Sequence, residues 1–438
     1  MPAHWTLVPN RAVLRKKKLL VGANHQKYQL LSLTKGGVIV RDISTGKGKF
    51  SSDMGTSQEV RKGDFIFCLF DIPETPRTVG LSSHDGMITS AYTVFEPKRI
   101  HPATARYLER FYISIDDRKL LSPLYSGLRN TIQPPRFLGI KTPHPSPEEQ
   151  AAIVRFLDHT DQKISSFVKA KRQMIKLLNE QRHIAIHQAI TKGISPNTPL
   201  QASGLDWLGD IPQHWEVVPS KSLFGLRKEK ARPDDLMLTA SQAHGIISRD
   251  EFMSTEGRRV MHVITGANIL KHVEPNDFVM SMRSFQGGLE WSKVRGAISS
   301  AYVILIPKDS VHMPFFAYVL KSKAYISALR RTSDLVRDGQ ALRYSNFGQV
   351  PLPRVPLKEQ QEIAEFLDDS LKELSAAISR SEREISLIEE FRSRLTWEVV
   401  SGNLDVREAA AKLPDIDVKQ EQGVLELVVD TEMEGIDE

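Results

Sequence analysis

Ser281-Met282-Arg283-Ser284-Phe285-Gln286-Gly287-Gly288-Leu289 sets a guanidinium, a hydroxyl and a carboxamide on a glycine-loosened loop behind a predicted strand. Arg283 presents a planar fork of donors and Gln286 a paired donor and acceptor, the chemistry that reads the edges of guanine and adenine, with Ser284 able to serve either. The same residues also suit a tight turn packed around Phe285. The corresponding earlier loop, Phe70-Asp71-Ile72-Pro73-Glu74-Thr75-Pro76-Arg77-Thr78, offers Arg77 and Thr78, a different set of contacts. Arg41 and Arg249 stand at equivalent places, each followed by aspartate, and suit either a ligand contact or a structural ion pair. Ser126-Gly127-Leu128-Arg129-Asn130 and Asp338-Gly339-Gln340-Ala341-Leu342-Arg343 add Arg129, Asn130 and Arg343 behind a glycine. The basic runs holding Lys16, Lys17, Lys47 and Lys49, together with Arg227-Lys228-Glu229-Lys230, fit phosphates better than bases, or a solvated face.

Catalytic chemistry is missing from this inventory. Gln133-Pro134-Pro135-Arg136 fails at both ends the Asn/Asp/Ser-Pro-Pro-aromatic pattern of a DNA methyltransferase. Neither a Gly-x-x-x-x-Gly-Lys phosphate loop nor a nuclease carboxylate pair followed by lysine occurs. The one cysteine, Cys68, excludes internal disulfides, and 13 histidines show no ligand spacing, so no metal site is expected. No apolar run is long enough to span a membrane and the start does not read as a signal peptide, so a cytoplasmic location is expected. The net charge of +6 hides a more basic body: residues 415–438 hold nine Asp/Glu and one Lys, leaving +14 on residues 1–414. Such a balance suits a polyanionic partner.

The elements that must carry these residues are organised by repetition. Pro353-Arg354-Val355-Pro356 stops any preceding helix, and a helix is expected from there to Leu404. Its apolar residues recur with coiled-coil spacing: Leu371, Ile378, Ile385 and Val399 in one row, Leu367, Leu374, Ile388 and Leu395 in the other. Glu149, Gln150, Ile153, Phe156, Leu157 and Asp158 reappear 210 residues later as Glu359, Gln360, Ile363, Phe366, Leu367 and Asp368. The earlier seam follows suit, with Leu157, Ile164 and Leu178, and Val168, Ile175 and Ala189. Both seams break at the same places, Lys171 with Ser381 and Arg182 with Arg392, where a polar residue either sets register or snorkels to water. His4-Trp5 likewise matches His214-Trp215, and Gly63-Asp64-Phe65-Ile66 matches Asn276-Asp277-Phe278-Val279. The chain is therefore a tandem duplication of a mixed α/β unit and a long helix. Strands are expected at Asp64–Phe70, Ala91–Phe95, Asp277–Met282 and Ala301–Ile306, and helices over Thr104–Ile113 and Pro314–Leu329. Expected boundaries are 1–145, 146–194 (helix), 195–355, 356–404 (helix) and an acidic tail, 405–438.

The doubled Pro-x-x-Glu-Gln-x-x-Ile-x-x-Phe-Leu-Asp helix start and Trp207-Leu208-Gly209-Asp210-Ile211-Pro212-Gln213-His214-Trp215-Glu216-Val217 resemble the DNA-specificity subunit of type I restriction-modification systems, up to about residue 410. The resemblance implies two target-recognition domains, each reading one half of a bipartite double-stranded DNA target, on two long antiparallel coiled-coil helices. Those helices set spacing and dock DNA methyltransferase (modification) subunits, expected to be two, with restriction (translocase/nuclease) subunits as further partners. It implies a non-catalytic chain, with S-adenosylmethionine, ATP and Mg on the partner subunits. The two units differ most in their loops, so an asymmetric target is expected. A protein-only scaffold on the same coiled coil is the competing reading.

Overall fold

The computed structural model describes residues 1–41, 54–98, 100–241, 244–256, 269–281, 289–332 and 342–414. The chain divides into two compact units. Unit 1 comprises Met1–Lys171 with Arg383–Glu438, and unit 2 is Arg172–Glu382.

Unit 1 is built on a four-stranded antiparallel sheet of β1 (Leu14–Lys17), β2 (Phe65–Phe67), β3 (Val79–Leu81) and β4 (Thr93–Pro97), in the order β1-β4-β2-β3. Side chains alternate across a strand, so adjacent residues serve different cores. Phe65, Phe67 and Phe95 face the large cluster with α1 (Pro102–Asp117), whereas Ile66 and Val94 face a second cluster with Leu31, Val38, Val60 and Ile88. Apolar residues on both faces are what two covered faces require.

Helix α2 (Pro147–Lys192) begins in unit 1 behind Ser146. Its repeated motif has a mechanical purpose. Glu149 pairs with His4 at 2.9 Å, and Gln150 takes the Thr104 hydroxyl at 2.5 Å while donating to the Pro145 carbonyl at 2.9 Å. The helix start is thereby tied to the unit's first residues and to α1.

Unit 2 repeats this plan with β5 (Phe224–Leu226), β6 (Phe278–Ser281), β7 (Leu289–Trp291) and β8 (Tyr302–Pro307), ordered β5-β8-β6-β7. Phe278 and Met280 enter the large core and Val279 the small one. The expected single helix over 314–329 is instead two, α3 (Met313–Lys321) and α4 (Lys323–Arg331). Ser322 between them is extended, and its hydroxyl oxygen accepts from the Tyr325 N–H at 3.3 Å, a cap that competes with helix continuation. Helix α5 (Leu357–Val400) starts one residue after Pro356. Glu359 accepts from Trp215 Nε1 at 3.0 Å and pairs with His214 at 2.8 Å, while Gln360 accepts the His312 N–H at 2.8 Å and donates to the Val355 carbonyl.

Within each unit the two long helices run antiparallel. In unit 1 Asp161 pairs with Arg392 at 2.8 Å and Lys171 with Glu384 at 2.6 Å, so ascending α2 means descending α5. At the polar seam positions, Lys171 and Arg392 each reach a carboxylate on the opposite helix while keeping part of the side chain in water. Ser381, in unit 2, is buried and donates to the Ala377 carbonyl of its own helix at 2.9 Å. Leu157, Ile164 and Leu367 are fully buried, and Ile175, Leu178, Leu374, Ile385 and Ile388 are half-buried, because there a neighbouring helix shields one side and water the other.

Candidate nucleic-acid interface

In unit 1 two of the loops bearing the candidate residues meet beside the four-stranded sheet. After β2 the chain enters the loop from Phe70 to Thr78, and after α1 it passes through Ser126–Thr131; these two segments lock together. Asp71 N–H donates to the Arg129 carbonyl at 2.7 Å, and Ile132 N–H to the Leu69 carbonyl at 2.9 Å. Arg129 forms an ion pair with Asp71 and lies 4.8 Å over the Phe70 ring. That guanidinium holds the Asp71 carboxyl below the usual carboxylate range. Phe70 in turn meets Tyr92 at a ring separation of 6.3 Å. Burial pushes the Tyr92 hydroxyl up, and the Arg41 guanidinium near it pulls the other way. Arg41 and the adjacent Arg129 and Asn130, picked from two separate stretches, therefore gather with Phe70, Asp71 and Tyr92 at one corner of unit 1.

Several expected contacts prove structural. Thr78 is buried, and its N–H donates to Asp116 Oδ2 at 2.8 Å. Arg77 is committed to Asp117 at 2.7 Å and Asp116 at 3.6 Å. Lys119 Nζ reaches Asp116 at 2.7 Å, completing a knot that closes α1 onto the sheet, so Arg77 and Thr78 do not face a ligand. Lys17 is also internal: 12% exposed, it lies 2.9 Å from Asp64 and 3.5 Å from Glu59. Burial alone would raise the Glu59 carboxyl, but hydrogen bonds from Arg61 and Tyr28 and the Lys17 charge outweigh it and hold it low. The counterpart of Lys17 in unit 2, Arg227, grips Asp277 through Nε at 2.6 Å and Nη2 at 3.0 Å. Asp64 and Asp277 also close the turns before β2 and β6, whose positive φ at Gly63 (93°) and Asn276 (78°) admits glycine or asparagine. Lys16, next to Lys17 on β1, remains exposed.

In unit 2, Arg249 repeats the backbone bond of Arg41: its N–H donates to Met237 O at 2.8 Å, as Arg41 N–H does to Leu30 O. Its Nε lies 3.9 Å from Asp250, so the structural ion pair is present there. Arg343 is exposed and leads the short helix Tyr344–Phe347, its N–H donating to Asn346 Oδ1 at 2.9 Å. Arg283, Ser284 and Gln286 lie outside the described residues, as do Lys47, Lys49, Asp42, Asp338 and residues 415–438 of the tail. Ser281, the last described residue before that loop, pairs across the sheet with Tyr302, the counterpart of Tyr92.

Leu128, Phe70, Asp71 and Tyr92 stand at this corner without having been among the expected contact residues. Gly127 and Asn130, three apart around Leu128-Arg129, were the available turn signal. Their φ angles are +70° and +43°.

A family model described as the type I restriction modification DNA specificity domain matches residues 212–384. Residues 212–384 carry the pattern of a type I restriction DNA specificity domain. The resemblance carried by the repeated motif is thereby borne out, and unit 1 repeats the specificity-domain fold strand for strand. A protein of Methanocaldococcus jannaschii designated as type I restriction enzyme MjaX specificity subunit is 22% identical over 275 residues, 61% of this chain. The chain spans 60% of the length of that relative. A solved chain from work on complex assembly and conformational transition of the type I R-M system aligns with a TM-score of 0.63 at 15% identity, over 92% of this chain and 99% of that one, and shares the fold. The HsdS subunit of Thermoanaerobacter tengcongensis aligns at a TM-score of 0.43 with 13% identity, over 92% and 98%.

Proposed function

We propose that this chain is the non-catalytic, sequence-specific DNA-recognition subunit of a type I restriction-modification complex, each specificity unit reading one half of a bipartite, asymmetric target. The observation that carries this is one fold presented twice with different chemistry at the same corner. Unit 1 shows Arg41, Tyr92, Phe70, Asp71 and Arg129 there; unit 2 sets Arg249 and Tyr302 on the equivalent elements, and the loop that follows its central strand differs in sequence from the unit 1 loop, with Arg283, Ser284 and Gln286 in place of Phe70–Thr78. A body carrying about +14 supplies the sequence-independent attraction to phosphates.

Partners are supported by the helices. In unit 1, Phe167, Leu387 and Phe391 are exposed between the Asp161–Arg392 and Lys171–Glu384 ion pairs, and in unit 2 Met174, Leu177 and Ile184 are exposed on α2. Large side chains repeated on one helix face suit a helical partner, and modification subunits, two by the duplication, are the proposed occupants. Methyl transfer, with S-adenosylmethionine, then belongs to those subunits, and ATP and Mg to restriction subunits where present. Leu387→Glu with Phe391→Glu should leave unfolding unchanged and abolish co-purification with the modification subunit. Retained co-purification would remove these helices from the interface.

Replacing residues 1–145 with the equivalent unit of another specificity subunit should change one half of the methylated target and leave the other half intact. Mapping methylated sites in cells carrying the exchanged chain reads this directly; a change in both halves, or in neither, sinks the modular reading. Binding to the target should also weaken steeply with added salt, by about 0.9 decades per decade of salt for each phosphate contacted.

A further inference from the structure

Leu128 is 105% exposed, touching nothing in the protein, and the next most exposed large apolar residue described, Leu236, is at 66%. A leucine alone on a surface is ordinary. What sets Leu128 apart is the apparatus beneath it. Ser126 N–H donates to Thr131 O at 3.0 Å and Thr131 N–H returns to Ser126 O at 2.9 Å, closing a six-residue turn whose tip is Leu128. The Ser126 hydroxyl donates to the Thr131 carbonyl at 2.9 Å, and Asn130 N–H to Gly127 O at 3.2 Å. Asn130 and Asp71 both adopt left-handed backbone, φ +43° and +47°, a cost that non-glycine residues bear only where the surroundings impose it. Arg129, the neighbour with the more obvious recognition chemistry, keeps much of its side chain exposed but commits its guanidinium to Asp71 and lies over the Phe70 ring. The turn thus spends its polar groups on its own rigidity and holds out one apolar side chain, at the corner shared with Arg41 and Tyr92.

We propose that Leu128 is a specificity-determining residue of unit 1, seated against the C5-methyl of a thymine in the major groove of its half-site, with Arg129 and Asp71 as positioning residues that never touch a base. This rests on the DNA-recognition reading above. The thymine methyl is the apolar feature a base pair offers in that groove, and a small rigid aliphatic tip matches it. Rigidity matters because the side chain brings no hydrogen bond to orient it: its discrimination comes only from being held where the methyl will be.

The test uses the full chain assembled with its modification subunits, on the target defined by methylation mapping. Each thymine of the unit 1 half-site is replaced in turn by deoxyuridine, which lacks only the methyl. The wild-type complex should lose about tenfold in affinity at one position and little elsewhere, the size of one small apolar contact. Leu128→Ala should lose about tenfold on the unmodified target and become indifferent to uracil at that position, while Leu128→Met should restore both. Unfolding of Leu128→Ala should match the wild type, since the side chain has no internal contact to lose. Unchanged affinity for Leu128→Ala, or weaker binding with every uracil tolerated by the wild type, overturns the thymine contact. A wild-type complex that does not distinguish its mapped target from random duplex fails earlier, at the DNA-recognition reading itself.

Discussion

Replacing Leu367 with aspartate is expected to unfold unit 2, at a cost of at least about 4 kcal/mol. The side chain is fully buried in the cluster that joins α5 to Ala189, Ile190, Phe315 and Leu352. Its loss forfeits the packing of a core leucine, about 2–5 kcal/mol for truncation alone, and adds a carboxylate with no partner. Leu374, one turn pair further along the same seam, is half-buried, so Leu374→Asp should cost less, and Glu382→Ala, on an exposed position, under about 0.5 kcal/mol. Hydrogen exchange resolved by segment checks this: protection should collapse across 172–382 in the Leu367 variant and persist in β1–β4. Equal effects for Leu367→Asp and Glu382→Ala would refute the seam assignment.

Asp161→Ala is expected to destabilise unit 1 by about 2–3 kcal/mol. Asp161, 11% exposed, accepts from Arg392 Nε at 2.8 Å and from Arg110, which also reaches Asp158 at 2.8 Å, so one carboxylate ties α1, α2 and α5 together. The figure sits below the roughly 3–5 kcal/mol of a fully buried broken pair, because Arg110 keeps Asp158 and Arg392 is 43% exposed. Burial alone would raise the Asp161 carboxyl; the Arg110 and Arg392 charges outweigh it and hold it below the usual range. A depressed carboxylate stabilises the fold above its unfolded pKa of about 3.9, and that contribution disappears as the pH falls through the lower folded value. Acid titration of stability should therefore show a loss below about pH 4 that Asp161→Asn removes. Unit 2 replaces two of these charged residues with leucine: Leu320 and Leu371 stand 210 residues after Arg110 and Asp161, and both are buried. Arg110→Leu with Asp161→Leu should consequently recover most of what Asp161→Ala loses, and no recovery would mean that unit 1 depends on the ion pairs themselves.

The duplication and the two long helices with their seam were traceable to residues at a fixed offset, whereas the ties of His4 and His214 to the helix starts 145 residues away appear only in the fold. Helix periodicity and repeat spacing are local or one-dimensional signals, and nothing in the tertiary structure competes with them over forty-odd residues. The direction in which each candidate side chain points is a different kind of information. Arg77 and Lys17 carry the same guanidinium or ammonium groups as any ligand-reading residue, but folding largely buried them and placed Asp117 and Asp64 beside them, and a carboxylate within 3 Å in a largely buried position claims a cation before solvent or a ligand can. Ser322 broke a helix that its neighbours' propensities supported, because its extended backbone and its hydroxyl, which caps the Tyr325 N–H, start a second helix there. Leu128 ended outside rather than in a core because a turn closed by Ser126 and Thr131 left it no surface to cover. The sequence by itself determined which elements exist and that they occur twice; the tertiary structure alone decided which polar groups neutralise one another, and hence which residues are left facing outward to meet a partner.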